Sequence, residues 1–162
     1  MIKKICNIGT TIILIVMIAI AALLLVPKIF GYDTYAVLSG SMEPKFHVGS
    51  MVFVKKVQPS EIQVGDPISF FLSGQGGNVA THRVVEVESE KEYFITKGDA
   101  NNSNDTEPVK FNSLIGKVMF NVPLLGYLTI YIKTKQGMMI ALGILILLIL
   151  GNFIPELLKK ED

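Results

Sequence analysis

The stretch Ser39-Gly40-Ser41-Met42-Glu43-Pro44 sets two hydroxyls between a residue that frees the backbone and one that stiffens it. Glycine opens conformations closed to other residues, and Pro44 fixes its own φ and pushes Glu43 towards an extended shape. A stiff turn of this kind can hold a serine hydroxyl in one place. Ser41 is therefore a candidate nucleophile, with an ordinary serine-rich turn as the competing reading. Serine attacks a carbonyl at neutral pH only with a base within hydrogen-bond reach. Histidine, with a reference pKa of about 6.5, is the best type of base for the task. The chain has two, His47 and His82. His82 lies in the strand-like run Thr81-His82-Arg83-Val84, and His47 in Phe46-His47-Val48-Gly49, a few residues past the serines. A histidine base works best beside a carboxylate that fixes its tautomer and stabilises the imidazolium. Gly98-Asp99-Ala100-Asn101-Asn102-Ser103-Asn104-Asp105 supplies two, Asp99 and Asp105, unless it is only a solvated Asx-rich loop.

Composition removes several other chemistries. A net charge of +1 over 162 residues gives no broad field to attract nucleic acid. The single cysteine, Cys6, cannot form an internal disulfide. With no cysteine pair and only two histidines, no compact metal site is readable. There is no glycine-rich phosphate loop, and no cofactor is expected.

The elements that must position these groups fall into three parts. Residues 5–27 carry no charge, and their centre is apolar on every face, so the run is long enough to cross a bilayer. A cleaved signal peptide is the alternative, since Lys3 and Lys4 precede the run, but it exceeds the usual apolar length of about 7–15 residues. A second uncharged run occupies residues 136–155 and is followed by Lys159 and Lys160. Basic flanks on both terminal sides place the termini in the cytoplasm, although Lys28, Lys133 and Lys135 pull the other way. The resulting division is a short cytoplasmic tail at 1–8, a transmembrane helix at 9–30, an extracytoplasmic β catalytic domain at 31–135, a second transmembrane helix at 136–155 and a cytoplasmic tail at 156–162.

Between the spans the pattern is β. Short apolar or alternating runs at 49–54, 68–72, 79–87, 93–96 and 114–120 are separated by glycine, proline and Asx turns. They predict a mostly β fold: a compact antiparallel domain flanked by an N-terminal and a C-terminal transmembrane helix. Pro123-Leu124-Leu125-Gly126-Tyr127-Leu128 reads as an apolar link to the second span, at the height of the membrane interface.

Taken in order and between two spans, these segments resemble type I signal peptidase in its endoplasmic-reticulum, archaeal and spore-former form. The resemblance runs from about Tyr35 to Phe120. Ser39-Gly40-Ser41-Met42-Glu43-Pro44 looks like the nucleophile box, and Gly49-Ser50-Met51-Val52-Phe53-Val54 like the strand after it. Val64-Gly65-Asp66-Pro67-Ile68-Ser69-Phe70 resembles the next box, with Pro67 where the family usually has an apolar residue, which puts local strand pairing in question. Thr81-His82-Arg83-Val84 resembles the general-base box, with histidine in place of the lysine of the typical bacterial form. Thr96-Lys97-Gly98-Asp99-Ala100-Asn101 resembles the last.

The resemblance implies a membrane-bound serine endopeptidase that removes signal peptides from secreted preproteins after small residues at −3 and −1. Ser41 would be the nucleophile and His82 the base. Asp105 is the favoured orienter of His82, with Asp99 the other candidate. Ser39 would help the Ser41 N–H stabilise the oxyanion. The implied partners are preproteins, membrane lipid and a secretion translocon. Leu38, Val52 and Phe70 are candidates to line the pockets for small side chains. Two rival readings remain. One is a two-span membrane protein whose β domain is a non-catalytic binding or assembly module. The other is a self-cleaving serine protease of the repressor type with Lys55, Lys56 or Lys97 as base.

Overall fold

The computed structural model describes residues 2–72 and 77–157, with side chains described for 9–72 and 77–148. Most of the loop expected at 73–78, and the basic flank Lys159-Lys160, lie outside the described residues. Two compact units emerge: Pro27–Thr129, and the helical residues up to Val26 and from Ile130.

Helix α1 runs Ile2–Ile29. Its segment Gly9–Ile29 is apolar and none of it is buried in protein, so its apolar faces have no core to meet. Tight bonds from Phe30 N–H to Pro27 O and from Gly31 N–H to Lys28 O close the last turn, and Gly31 follows at φ 78.

Among the described residues seven strands follow: β1 Tyr32–Ala36, β2 Met51–Lys55, β3 Pro67–Phe71, β4 Val79–Glu88, β5 Tyr93–Lys97, β6 Val109–Lys110 and β7 Leu114–Val122. They form one antiparallel sheet in the order β1-β2-β7-β3-β4-β5-β6. The five strands expected from the sequence are present within a residue or two at each end. β1 and the two-residue β6 are additions.

Alternation builds two cores. Val52 and Val54 of β2 pack with Met42, Phe46, Ile115 and Val118. Phe53, on the opposite face, stacks on Phe120 at 4.5 Å. The second core gathers Ile68, Phe70, Val84, Phe94, Val109 and Ile62. Pro67 does not break the sheet. It is the first residue of β3, where proline is tolerated, and the neighbouring backbone carries the pairing: Gly65 N–H bonds Val84 O, and Val84 N–H bonds Asp66 O.

Of the link expected at 123–128, residues 123–124 are a turn and 125–128 begin helix α2, Leu125–Ile132, which leads into α3, Lys135–Leu157. The two are bent by 92°. At the elbow the Thr134 hydroxyl accepts from Gly137 N–H at 3.0 Å, which caps α3. A Cβ at Gly137 would lie 1.9 Å from Tyr131 O, so only glycine lets the two backbones approach this closely. Over the residues whose side chains are described, the C-terminal helices reach span length only when taken together across the bend.

Candidate active site

The serine turn folds as its composition dictates. Gly40–Met42 forms a single 3₁₀ turn flanked by extended Ser39 and Glu43, and Met42 drives into the first core. The Glu43–Pro44 peptide is cis. Ser39 Oγ and Ser41 Oγ lie 3.2 Å apart.

The turn is tied to the aspartate loop by a bond from Ala100 N–H to Ser41 O at 2.9 Å. Gly98 makes that approach possible, since a Cβ there would lie 2.6 Å from Ser41 O. β4 runs beside the same turn.

β4 delivers His82 and Arg83 as neighbours on a pleated strand, and the two engage different aspartates. His82 Nδ1 lies 2.5 Å from Asp105 Oδ2, with both side chains largely shielded from solvent. The same carboxylate oxygen accepts from the Thr96 hydroxyl at 2.6 Å, and Thr96 is fully buried on β5. Asp105 N–H bonds Thr96 O, which fixes the loop to the strand. With Nδ1–H donating to Asp105, Nε2 is the imidazole nitrogen left to take a proton. Phe70 meets the His82 ring edge-on at 6.3 Å.

Asp99 has a different partner. Arg83 donates to it twice, Nε to Oδ1 at 2.7 Å and Nη2 to Oδ2 at 2.5 Å, and a third bond runs from Nη1 to Gly65 O. The hydrogen bond to Asp99 raises the Arg83 pKa, against the lowering effect of burial and with help from the charges of Asp99 and Asp66.

Ser39, Ser41 and His82 line one cavity of about 360 Å³, whose apolar wall includes Val37, Leu38 and Val52. Among the described residues no hydrogen bond joins Ser41 to His82; the cavity and the adjacent β4 bring them together. Tyr35 also lines it, with its hydroxyl pKa raised first by burial and then by Asp33.

Of the residues named from sequence, Ser41, Ser39, His82, Leu38 and Val52 thus share one cavity, and Asp105 reaches it through His82. Phe70 does not line it. Phe70 belongs to the second core and faces two neighbouring cavities beyond His82. His47 is not at the cavity; its Nδ1 pairs with Glu43 Oε2 at 2.5 Å on the surface. Nor do Lys55, Lys56 or Lys97 line it. Sequence reasoning assigned no role to Arg83, Thr96 or Asn101. Arg83 had a signal, standing beside His82 on a strand with two aspartates unassigned. Thr96 had none, since a buried threonine in an alternating strand reads as packing.

A Ser-His-Asp set beside a small apolar cavity is the equipment of a serine peptidase. Residues 8–88 match the family described as signal peptidase, peptidase S26, and the chain belongs to that family. It is similar to signal peptidase I W of Bacillus subtilis, 45% identical over 87 residues, which cover 51% of this chain and 44% of that protein. It is also similar to the signal peptidase complex catalytic subunits of Homo sapiens, 31% identical over 126 residues (69% of this chain, 65% of that protein), and of Saccharomyces cerevisiae, 34% over 121 residues (67% and 71%). The chain therefore spans about half to two thirds of the length of these relatives. The type is the one the sequence resemblance implied, shared by spore formers and the endoplasmic reticulum.

Proposed function

We propose that this protein is a membrane-bound serine endopeptidase that removes N-terminal signal peptides from secreted preproteins after small residues at −3 and −1. The observation that carries this reading is the His82–Asp105 pair at 2.5 Å, opening on the cavity that holds Ser41 and Ser39.

Ser41 Oγ attacks the scissile carbonyl while His82 Nε2 takes its proton, and a C–O bond forms as the carbonyl π bond becomes an oxyanion. The Ser41 N–H and the Ser39 hydroxyl stabilise that oxyanion. Collapse breaks the C–N bond, and His82 returns the proton to the leaving amine. Water then attacks the acyl-enzyme by the same route, releases the signal peptide and restores Ser41. Asp105, anchored by Thr96, holds the imidazole in the tautomer this sequence needs. Asp99 holds Arg83 and the loop rather than the base.

The apolar wall around Leu38 and Val52 is to receive the small side chains before the cut. The protein spans the membrane twice, with residues 31–135 on the extracytoplasmic side, so that a substrate's apolar segment and the enzyme's helices share one bilayer. α3 is the second span. A translocon supplies the preproteins.

The test uses full-length protein in detergent with a preprotein substrate. Cleavage is expected to vanish in Ser41→Ala, which keeps the wild-type melting temperature, and in His82→Ala, which stays folded with a lower one. Unchanged cleavage by Ser41→Ala would overturn the reading by removing Ser41 as the nucleophile, and no cleavage by the wild-type protein would favour a non-catalytic β module. Full activity in His82→Ala would favour a lysine base.

A further inference from the structure

We propose that the groove continuing past His82 receives the first residues of the polypeptide released by the cut, and that Glu107 makes it favour a basic residue there. The inference rests on the Ser41–His82 reading above and deepens it.

The groove is made of cavities that adjoin the serine cavity through shared walls. A second cavity, of about 440 Å³, shares His82, Leu72 and Asn101 with the first. A third, of about 320 Å³, shares Phe70, Leu72 and Glu107 with the second. Direction follows from the chemistry. The oxyanion donor Ser39 and the apolar wall belong to the serine cavity, which therefore takes the acyl side of the substrate. His82 protonates the leaving amine, so the released chain begins at His82 and continues away from Ser41.

The character of the groove fits that occupant. Ser103, Asn104 and Thr106 are exposed polar side chains, while Phe70 and Leu72 supply apolar contact. Such a surface binds a varied polypeptide weakly. Its charge is biased. Of the two carboxylates lining the second cavity, Asp105 is engaged by His82 and Thr96. Glu107 is exposed and, among the described residues, has no ion-pair partner. Lys110 lines only the third cavity, beyond Glu107. A cation arriving from the His82 side therefore meets the free carboxylate of Glu107 before Lys110.

The experiment uses the full-length protein in detergent and a set of signal-peptide-bearing preproteins. The set is identical except for Lys, Gln or Glu at one of the second to sixth residues past the cut. The expected result is a ranking of kcat/KM, Lys above Gln above Glu, at one or two neighbouring positions, by about two- to five-fold as befits an exposed charge pair. The ranking shrinks in ~0.5 M salt. It flattens in Glu107→Gln and inverts in Glu107→Lys; the order of the three substrates is the readout, not the overall rate. No charge ranking at any position, or a ranking that survives in both variants, overturns the inference. Ser41→Ala run in parallel separates the failures. Cleavage that persists in Ser41→Ala removes the site itself. Ser41-dependent cleavage without a ranking removes only the groove.

Discussion

At the scale of single residues the two aspartates do different work, and their substitutions should separate cleanly. Asp105→Asn keeps the shape but replaces an acceptor of two hydrogen bonds with a group that can donate to His82 and spoil its tautomer. We expect kcat to fall by about 1,000–10,000-fold with KM little changed, as judged on a fixed preprotein. Asp99→Asn instead breaks the paired bonds from Arg83 and should cost about 1–2 kcal/mol in denaturant unfolding with a smaller loss of kcat. The sign of the Arg83 shift bears on pH. A raised pKa stabilises the fold fully below the group's ordinary value, and that contribution is lost only as pH rises through the raised one, far above neutrality. The stability gap between wild type and Asp99→Asn should therefore stay flat from ~7 to ~10, and a gap that closes within that window would contradict the assignment. Ser41, His82 and the Asp99/Asp105 alternative were legible in the sequence as candidates only, because their types and order are rare. The choice between the aspartates was not, because it depends on which face of β4 each one meets. His82 and Arg83 are adjacent in sequence and reach different carboxylates.

At the scale of elements, the site depends on three segments arriving together: the serine turn, β4 and the loop after β5. The contact that joins the first and the third is the bond from Ala100 N–H to Ser41 O, made over a glycine. Gly98→Ala would put a Cβ within 2.6 Å of Ser41 O and 2.8 Å of Asn101 Nδ2. The Asn101 side chain can swing aside, but the Ser41 carbonyl is backbone, so the turn or the loop must shift. We expect a stability loss of about 1–3 kcal/mol and a drop in kcat larger than that loss explains, read from unfolding and turnover on the same preparation. The central strands were readable because alternation marks a half-buried strand directly. β1, Tyr-Asp-Thr-Tyr-Ala, was hidden because it is five residues long, shows no apolar/polar alternation and is half-buried throughout. β6 is shorter than any pattern can register. α2 was read as a link because Leu-Gly-Tyr-Leu-Thr-Ile-Tyr-Ile is rich in β-branched and aromatic residues. Its helix is set by packing, with Gly126 against the Ser50 carbonyl and a bond from Tyr127 N–H to Gly49 O.

At the scale of the whole molecule the proposed topology of two bilayer crossings can be tested directly. α1 is long and apolar enough by itself, whereas the C-terminal helices combine a short, tyrosine-bearing α2 with α3 across a capped right-angled elbow. That geometry suits a helix lying in the interface and a helix entering the apolar layer, because tyrosine is favoured at the headgroup level. If α3 crosses, both termini share one side. The basic flanks favour the cytoplasm, with Lys3-Lys4 at one end and Lys159-Lys160 at the other. The chain is well suited to a direct test, since Cys6→Ser removes its single cysteine. Into that background a cysteine is placed at Ser89, exposed in the turn between β4 and β5, or appended after Asp162. An impermeant maleimide applied to intact cells should label Ser89→Cys strongly. It should reach the appended cysteine only after the membrane is opened. Labelling of both in intact cells would mean that the chain crosses once and that α3 lies on the outer side. Protection of both would place the β unit in the cytoplasm, where it would meet no exported substrate.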